Sequence, residues 1–153
     1  MNYWLMKSEP DAFGIDDLKQ RPQQTEHWDG IRNYQARNMM RDDMKKGDQI
    51  FFYHSNAPQI GIVGMMKVVR DSYPDFTAQN PDSKYYDPKS NSDNPRWFMV
   101  DVKFIRKFKR IITLDELKQH ADALGDMALL RKGNRLSINP VSKDQWEYIL
   151  RLE

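Results

Sequence analysis

Gln49-Ile50-Phe51-Phe52-Tyr53-His54-Ser55, a turn at Asn56 to Pro58, and Ile60-Gly61-Ile62-Val63-Gly64-Met65-Met66-Lys67-Val68-Val69 decide the fold. The first run follows the turn Lys45-Lys46-Gly47-Asp48 and is dense in aromatic and apolar residues, which suits a central strand. The second alternates imperfectly. Its Gly61 and Gly64 predict a bulge or a close backbone approach in a strongly bent sheet. Two strands so close in sequence pair most simply as a hairpin.

Outward from the hairpin, Tyr3 to Ser8 reads as a strand that Pro10 ends, because proline cannot donate to a sheet ladder. A short helix follows. Gly14 is its N-cap, Asp16 and Asp17 occupy the first turn, and Phe13 can staple against Leu18. Arg21 to Thr25 is expected as a polar turn, and Asn33 as the cap of a helix from Tyr34 to about Met44. Asp71 to Pro95 holds four of the eight prolines with many Asn, Asp and Ser and no sustained period, so it is expected as a long loop. Arg96 to Lys109 alternates over Phe98, Val100, Val102 and Phe104 and reads as a strand with a basic end. Thr113 to Glu116 and Ser142 to Gln145 are capping boxes, each flanked by a possible staple, Ile112 with Leu117 and Val141 with Trp146. The last helix presents Trp146, Ile149, Leu150 and Leu152 on one face, to pack on the sheet. Curved strands joined by helical insertions give an α+β fold, a small mixed barrel in a single domain over residues 1–153.

Composition removes several functions. With 24 Lys and Arg against 22 Asp and Glu, the net charge of +2 is far from what sequence-independent DNA coating requires, so any nucleic-acid contact is local. No cysteine means no disulfide, no thiolate zinc site and no thiol nucleophile, and favours an intracellular setting. The N-terminus has no signal-peptide pattern and no run approaches ~18 apolar residues, so neither export nor a membrane partner is expected. The reading is a cytoplasmic protein, or a nuclear one in a eukaryote.

Catalytic patterns are equally thin. His27, His54 and His120 lie on different elements without a His-x-x-x-His pair, so no metal and no cofactor are expected. Ser8 beside Glu9 and Ser55 beside His54 are strand neighbours, whose side chains point to opposite faces. The glycines are scattered, so no phosphate-cradling loop is present. Lys45, Lys46 and the Arg106 to Arg110 run read as solvated ends of elements that could also meet phosphates. What remains is a pocket. Trp4, Trp28, Tyr34, Tyr53, Tyr85, Tyr86 and Trp97 fall near segment ends or loops, together with Lys7, Ser8, Glu9, Asp29, Arg32, Asn33 and His54. Flat aromatics with directional polar groups suit a planar heterocycle, a nucleobase foremost. About half of such aromatics in a small domain are core, and Trp4 and Trp146 are assigned there. Trp28 is assigned to the pocket wall, because it precedes Asp29-Gly30, where the chain turns and exposes N–H groups.

Tyr3 to Pro10, Asp16-Asp17-Leu18, Trp28-Asp29-Gly30-Ile31-Arg32-Asn33-Tyr34-Gln35-Ala36-Arg37-Asn38, Lys46-Gly47-Asp48, Phe51 to Ser55 and Tyr85-Tyr86-Asp87-Pro88-Lys89 together resemble the EVE domain family. Pro95-Arg96-Trp97, Val100-Asp101-Val102 and Leu136 to Ser142 look like it too. The resemblance implies a PUA-like fold, a small twisted β-barrel ringed by helices, and a non-enzymatic partner role toward DNA or RNA that carries modified bases, such as methylated or hydroxymethylated cytosine. The YTH domain, a PUA-like reader of methylated adenine, has a Lys-Ser pair that Lys7-Ser8 resembles and a cage tryptophan that Trp28 resembles. It has Asn next, where this chain has Glu9, which when ionised accepts hydrogen bonds but cannot donate them. Gly14 stands where many EVE sequences carry a serine cap.

On this resemblance the base-binding pocket comprises Lys7, Ser8, Glu9, Trp28, Asp29, Arg32, Asn33, Tyr34, His54, Tyr85 and Trp97. Trp28 would stack on the base, with Tyr85 or Trp97 closing the other side. Ser8, Glu9, Asp29 and Asn33 would read its edge, and Lys7, Arg32 and His54 would support the pocket or meet phosphate. Two other readings stay open: an enzyme acting on a nucleotide or RNA through Glu9, Asp29, Lys7 or His54, and a module whose pocket takes a peptide side chain or metabolite.

Overall fold

Strand β3 (Gln49–His54) lies inside a six-stranded sheet, between β1 (Tyr3–Ser8), its parallel neighbour, and β4 (Gly61–Pro74), its antiparallel hairpin partner. The computed structural model describes all 153 residues. Period-two alternation explains why β3 is central: Ile50 and Phe52 enter one apolar cluster, Phe51 and Tyr53 the other, and all four are buried. β5 (Phe98–Thr113) pairs with β4, β2 (Thr25–Trp28) with β5, and β6 (Ile138–Val141) with β1, giving the order β2-β5-β4-β3-β1-β6. The α+β class and the mixed, bent sheet are as expected. The sheet ends at β2 and β6 without closing on itself.

The two glycines of β4 mark its bend. A Cβ at Gly61 would strike the carbonyl of Ile112, and one at Gly64 would strike that of Arg106 and the Ile15 side chain. The β4–β5 register shifts between them. β4 then runs to Pro74, into the segment expected as loop, because β5 continues to pair with it across three further shifts. Tyr73 donates to Asp101 across that pairing, and the Arg70 guanidinium lies 3.7 Å from the Tyr73 ring centre.

Helices α1 (Pro10–Phe13) and α2 (Ile15–Gln20) follow β1, and the Gly14 N–H is held by the Asp17 carboxylate at 2.8 Å. Asn33 caps α3 (Tyr34–Asn38) by accepting from the Ala36 N–H at 3.0 Å; a π turn at Met39–Asp43 continues it. Thr113 caps α4 (Leu114–Gln119) through the Glu116 N–H, but the Glu116 carboxylate goes to Arg110, so only half of that box forms. Both halves form at α6 (Lys143–Leu152), after α5 (Ala121–Leu124). Trp146 of α6 stacks on Phe51 with 3.8 Å between ring centres, and Trp4 donates to the buried Asp48 at 3.0 Å, so both tryptophans are core as expected.

Two edge strands were not legible. β2 is four residues long with Glu26 and His27 inside it, and begins at Thr25, the last residue of the expected polar turn. β6 contains Pro140, which an edge strand tolerates because one side needs no donor.

Candidate functional site

The end of β1, helix α1, strand β2 and two loops converge on a cavity of about 570 Å³. Lys7, Ser8 and Glu9 come from β1 and its end, Ala12 and Phe13 from α1, and Arg21 from the turn after α2. Glu26, His27 and Trp28 come from β2, Asp29, Gly30 and Ile31 from the loop after it, Lys84 and Tyr85 from the long loop, and Ser137 from the approach to β6. Its volume is in the range of small-molecule sites.

Trp28 is 7% exposed, wedged edge-to-face against Phe13 at 6.0 Å and Phe52 at 5.5 Å, so its ring is fixed rather than free to swing. Tyr85 is fixed differently. Gly30, at φ +81°, has no side chain, and the Tyr85 ring lies on it so closely that a Cβ would sit 2.5 Å from Cζ. Arg32 then clamps the same residue from behind. Its Nη2 and Nε donate to the Tyr85 carbonyl at 2.7 and 3.2 Å, and its Nη1 donates to Asp75 at 3.1 Å and to the Ile31 carbonyl at 2.9 Å. Asp75 is 1% exposed; the oxygen that takes Arg32 also accepts the Gly30 N–H at 3.0 Å, and its other oxygen accepts the Thr77 N–H at 2.8 Å. One buried carboxylate thus ties the loop after β2 to the long loop that carries Tyr85.

Polar groups on the wall differ in what they have to spare. Ser8 donates its hydroxyl hydrogen to the Phe13 carbonyl at 2.7 Å, so it has only acceptor capacity for a ligand. Glu9 stands at the N-cap of α1 without capping it and is exposed. The Lys7 ammonium lies 5.8 Å from the Tyr53 ring centre, and burial lowers its pKa, with no carboxylate to offset the loss of water. Burial likewise pushes Tyr53 up to about 12. Burial first, and then the Asp75 charge, raise the Asp29 pKa from its ordinary value, and His27 acts against them. His27 itself sits between Glu26, 3.0 Å from its Nδ1, and Asp29, 3.7 Å from its Nε2. Glu26 also pairs with Arg21 at 2.8 Å. No group of three metal-ligating side chains converges anywhere in the chain.

Of the residues expected at the pocket, Lys7, Ser8, Glu9, Trp28, Asp29 and Tyr85 come together on its wall, and five do not. Arg32 lies behind Tyr85, its guanidinium 5.4 Å from the rings of both Tyr85 and Trp97. Trp97 is buried there, donating to Asp87 at 2.7 Å, which leaves Tyr85 as the one of the two rings on the cavity. Tyr34 stacks on the far side of that cluster, 4.9 Å from Trp97, and Asn33 is committed to capping α3. His54 accepts the Ile15 N–H on Nε2 at 3.1 Å, and burial lowers its pKa. A hydrogen bond from a backbone donor needs the neutral imidazole, so His54 holds α2 to β3 rather than facing the cavity. Glu26 and His27 were not expected at the wall because β2 was not legible, and Phe13, expected only as a staple, reaches it by packing edge-on against Trp28 of β2. Asp75 was readable only as an Asx turn, an Asp followed two residues later by Thr77.

A family model described as the EVE domain matches residues 2–152. Thymocyte nuclear protein 1 of Mus musculus is 48% identical over 168 residues, spanning 99% of this chain and 74% of that protein. The crystal structure of the human THYN1 protein in complex with DNA containing 5-methylcytosine superposes with a TM-score of 0.94 at 45% identity, covering 99% of this chain and 97% of that one. The crystal structure of the DUF55 domain of human thymocyte nuclear protein 1 gives 0.92 at 46%, covering 98% and 97%.

Proposed function

The chain belongs to the EVE domain family, and from that premise we propose that its cavity receives a modified nucleobase, methylated cytosine in DNA first, turned out of its strand. The observation that carries this is the joint presence on one wall of two fixed aromatic rings, an ammonium without an ionic partner, and carboxylates. Trp28 and Tyr85 flank the base plane. Cytosine offers acceptors and an exocyclic amine along its pairing edge, which Lys7 as donor and Asp29 or Glu9 as acceptor complement. The human THYN1 complex with 5-methylcytosine DNA supports the choice of cytosine, given its likeness to this chain over nearly its full length.

Recognition of one methyl group contributes only ~1–3 kcal/mol, so selectivity over unmodified cytosine is roughly fivefold to 150-fold. Intrinsic tryptophan fluorescence, titrated at fixed salt with matched oligonucleotides carrying cytosine, methylcytosine, hydroxymethylcytosine or methyladenine as DNA and RNA, tests it. Saturable quenching for one modified base over its parent is the expected result, and equal responses across the panel defeat the proposal. An enzyme would show itself by turnover of the oligonucleotide that Glu9→Gln abolishes; of the four groups available to that reading, His54 is already committed to the Ile15 N–H.

No helix is long and apolar enough to cross a membrane.

A further inference from the structure

We infer that Phe76 is a wedge that enters a DNA duplex beside the cavity and fills the gap left by the departing base, an inference that rests on the cavity being a base site. Phe76 is 53% exposed, and an aromatic ring left in water forgoes one of the larger gains available to a side chain on folding. The ring does not hang on a loose segment. Phe76 opens the 3₁₀ turn Phe76–Gln79, which the buried Asp75 caps by accepting from the Thr77 N–H, while its second oxygen accepts the Gly30 N–H at 3.0 Å. Gly30 is part of the cavity wall. The Phe76 ring also meets His27, another wall residue, edge-on at 5.1 Å, and His27 is in turn held by Glu26 at 3.0 Å. The groups that build the wall therefore fix an apolar ring at its edge with half its surface open.

The charges around that ring select what it can touch. Glu26, itself paired with Arg21, and Asp29 flank the His27 that the ring meets, and the Asp29 carboxylate repels phosphate. An uncharged partner with a flat face fits instead. A base leaving a duplex exposes two such faces, those of its former stacking neighbours, and the unstacking has to be offset for the base to stay out. Apolar side chains inserted at a base step are a general means of doing so. In a single strand no such gap exists, so the wedge matters little there.

The test compares the wild type with Phe76→Ala and Phe76→Trp, using fluorescence anisotropy of a labelled 5-methylcytosine oligonucleotide, duplex and single-stranded, at fixed salt. Because Phe76 is exposed, all three proteins should melt alike. Loss of one aromatic stacking contact should weaken duplex binding of Phe76→Ala roughly tenfold, with Phe76→Trp close to wild type and single-strand affinities within about twofold throughout. Unchanged duplex affinity of Phe76→Ala, equal losses on both substrates, or a loss that tryptophan does not recover would overturn the wedge. If the wild type keeps its preference for the methylated duplex in that case, the cavity reading survives. A wild type without preference for the methylated duplex over its cytosine parent overturns both.

Discussion

Gly30→Ala tests the way the cavity wall is built. At φ +81° an alanine costs about 1–2 kcal/mol more than glycine from backbone sterics alone. Its Cβ would also sit 2.5 Å from Cζ of Tyr85 and 2.7 and 2.8 Å from the two flanking ring carbons. Ordinary carbon contacts begin near ~3.5 Å, so the ring has to move by about 1 Å. It cannot carry its backbone along freely, because Arg32 grips the Tyr85 carbonyl with two hydrogen bonds. The ring therefore tilts into the cavity or away from the base plane. Either movement forfeits most of one stacking contact, ~1–3 kcal/mol, which is roughly fivefold to 150-fold in affinity for a methylcytosine oligonucleotide. Thermal melting reads the backbone cost as a fall of about 3–6 °C, and fluorescence titration reads the binding cost. Tyr85→Ala gives the control. Without the ring, adding Gly30→Ala should still lower the melting temperature but cost little further affinity, a non-additive pair. Additive binding losses, or wild-type affinity in Gly30→Ala, would refute the link between Gly30, Tyr85 and the base.

Lys7→Met should fold at least as stably as the wild type, since it removes a half-buried charge without an ionic partner, yet lose about tenfold or more in affinity for the oligonucleotide; melting and titration together check this. Asp75→Ala leaves the Arg32 charge without its buried partner and should cost about 3 kcal/mol, seen in urea unfolding as a lower midpoint. Trp28→Ala should also destabilise by about 3 kcal/mol, because the ring packs on Phe13 and Phe52; Trp28→Phe is the variant that keeps the core while weakening the stack, and a drop in affinity without a large drop in melting temperature is expected. Asp29 has its folded pKa raised, so the folded state favours the protonated form: that contribution is full below the unfolded value of 3.8 and is lost as pH rises through the folded value. Asp29→Asn should therefore melt above the wild type at neutral pH, with the gap shrinking as pH is lowered toward the carboxylate range.

The sheet centre was legible because β3 and β4 state their burial in composition: Phe51 and Phe52 face opposite cores, and Gly61 and Gly64 sit where β5 comes too close for a side chain. The edges were not. A strand as short as β2, with Glu26 and His27 in it, carries no alternation to detect, and Pro140 argues against β6 unless the strand is known to be an edge. The site divided along the same line. Lys7, Ser8, Trp28 and Asp29 stand next to recognisable chain reversals or strand ends, whereas Phe13, Glu26 and His27 reach the wall only through the packing of α1 against β2. Arg32, Asn33, His54 and Trp97 have the chemistry of pocket residues but spend it on structure, on the Tyr85 carbonyl, the Ala36 N–H, the Ile15 N–H and the Asp87 carboxylate. Residue type alone cannot tell a polar group with a free hydrogen bond from one whose partner lies far away in sequence.

A crystal structure of this protein with a short duplex containing one 5-methylcytosine shows whether the cavity takes the base. The expected result is the methylated base outside the helix, its ring between Trp28 and Tyr85 and the Lys7 ammonium within hydrogen-bond distance of its pairing edge. A duplex bound with that base still stacked and paired, and the cavity free of it, would mean that the cavity is not a base site.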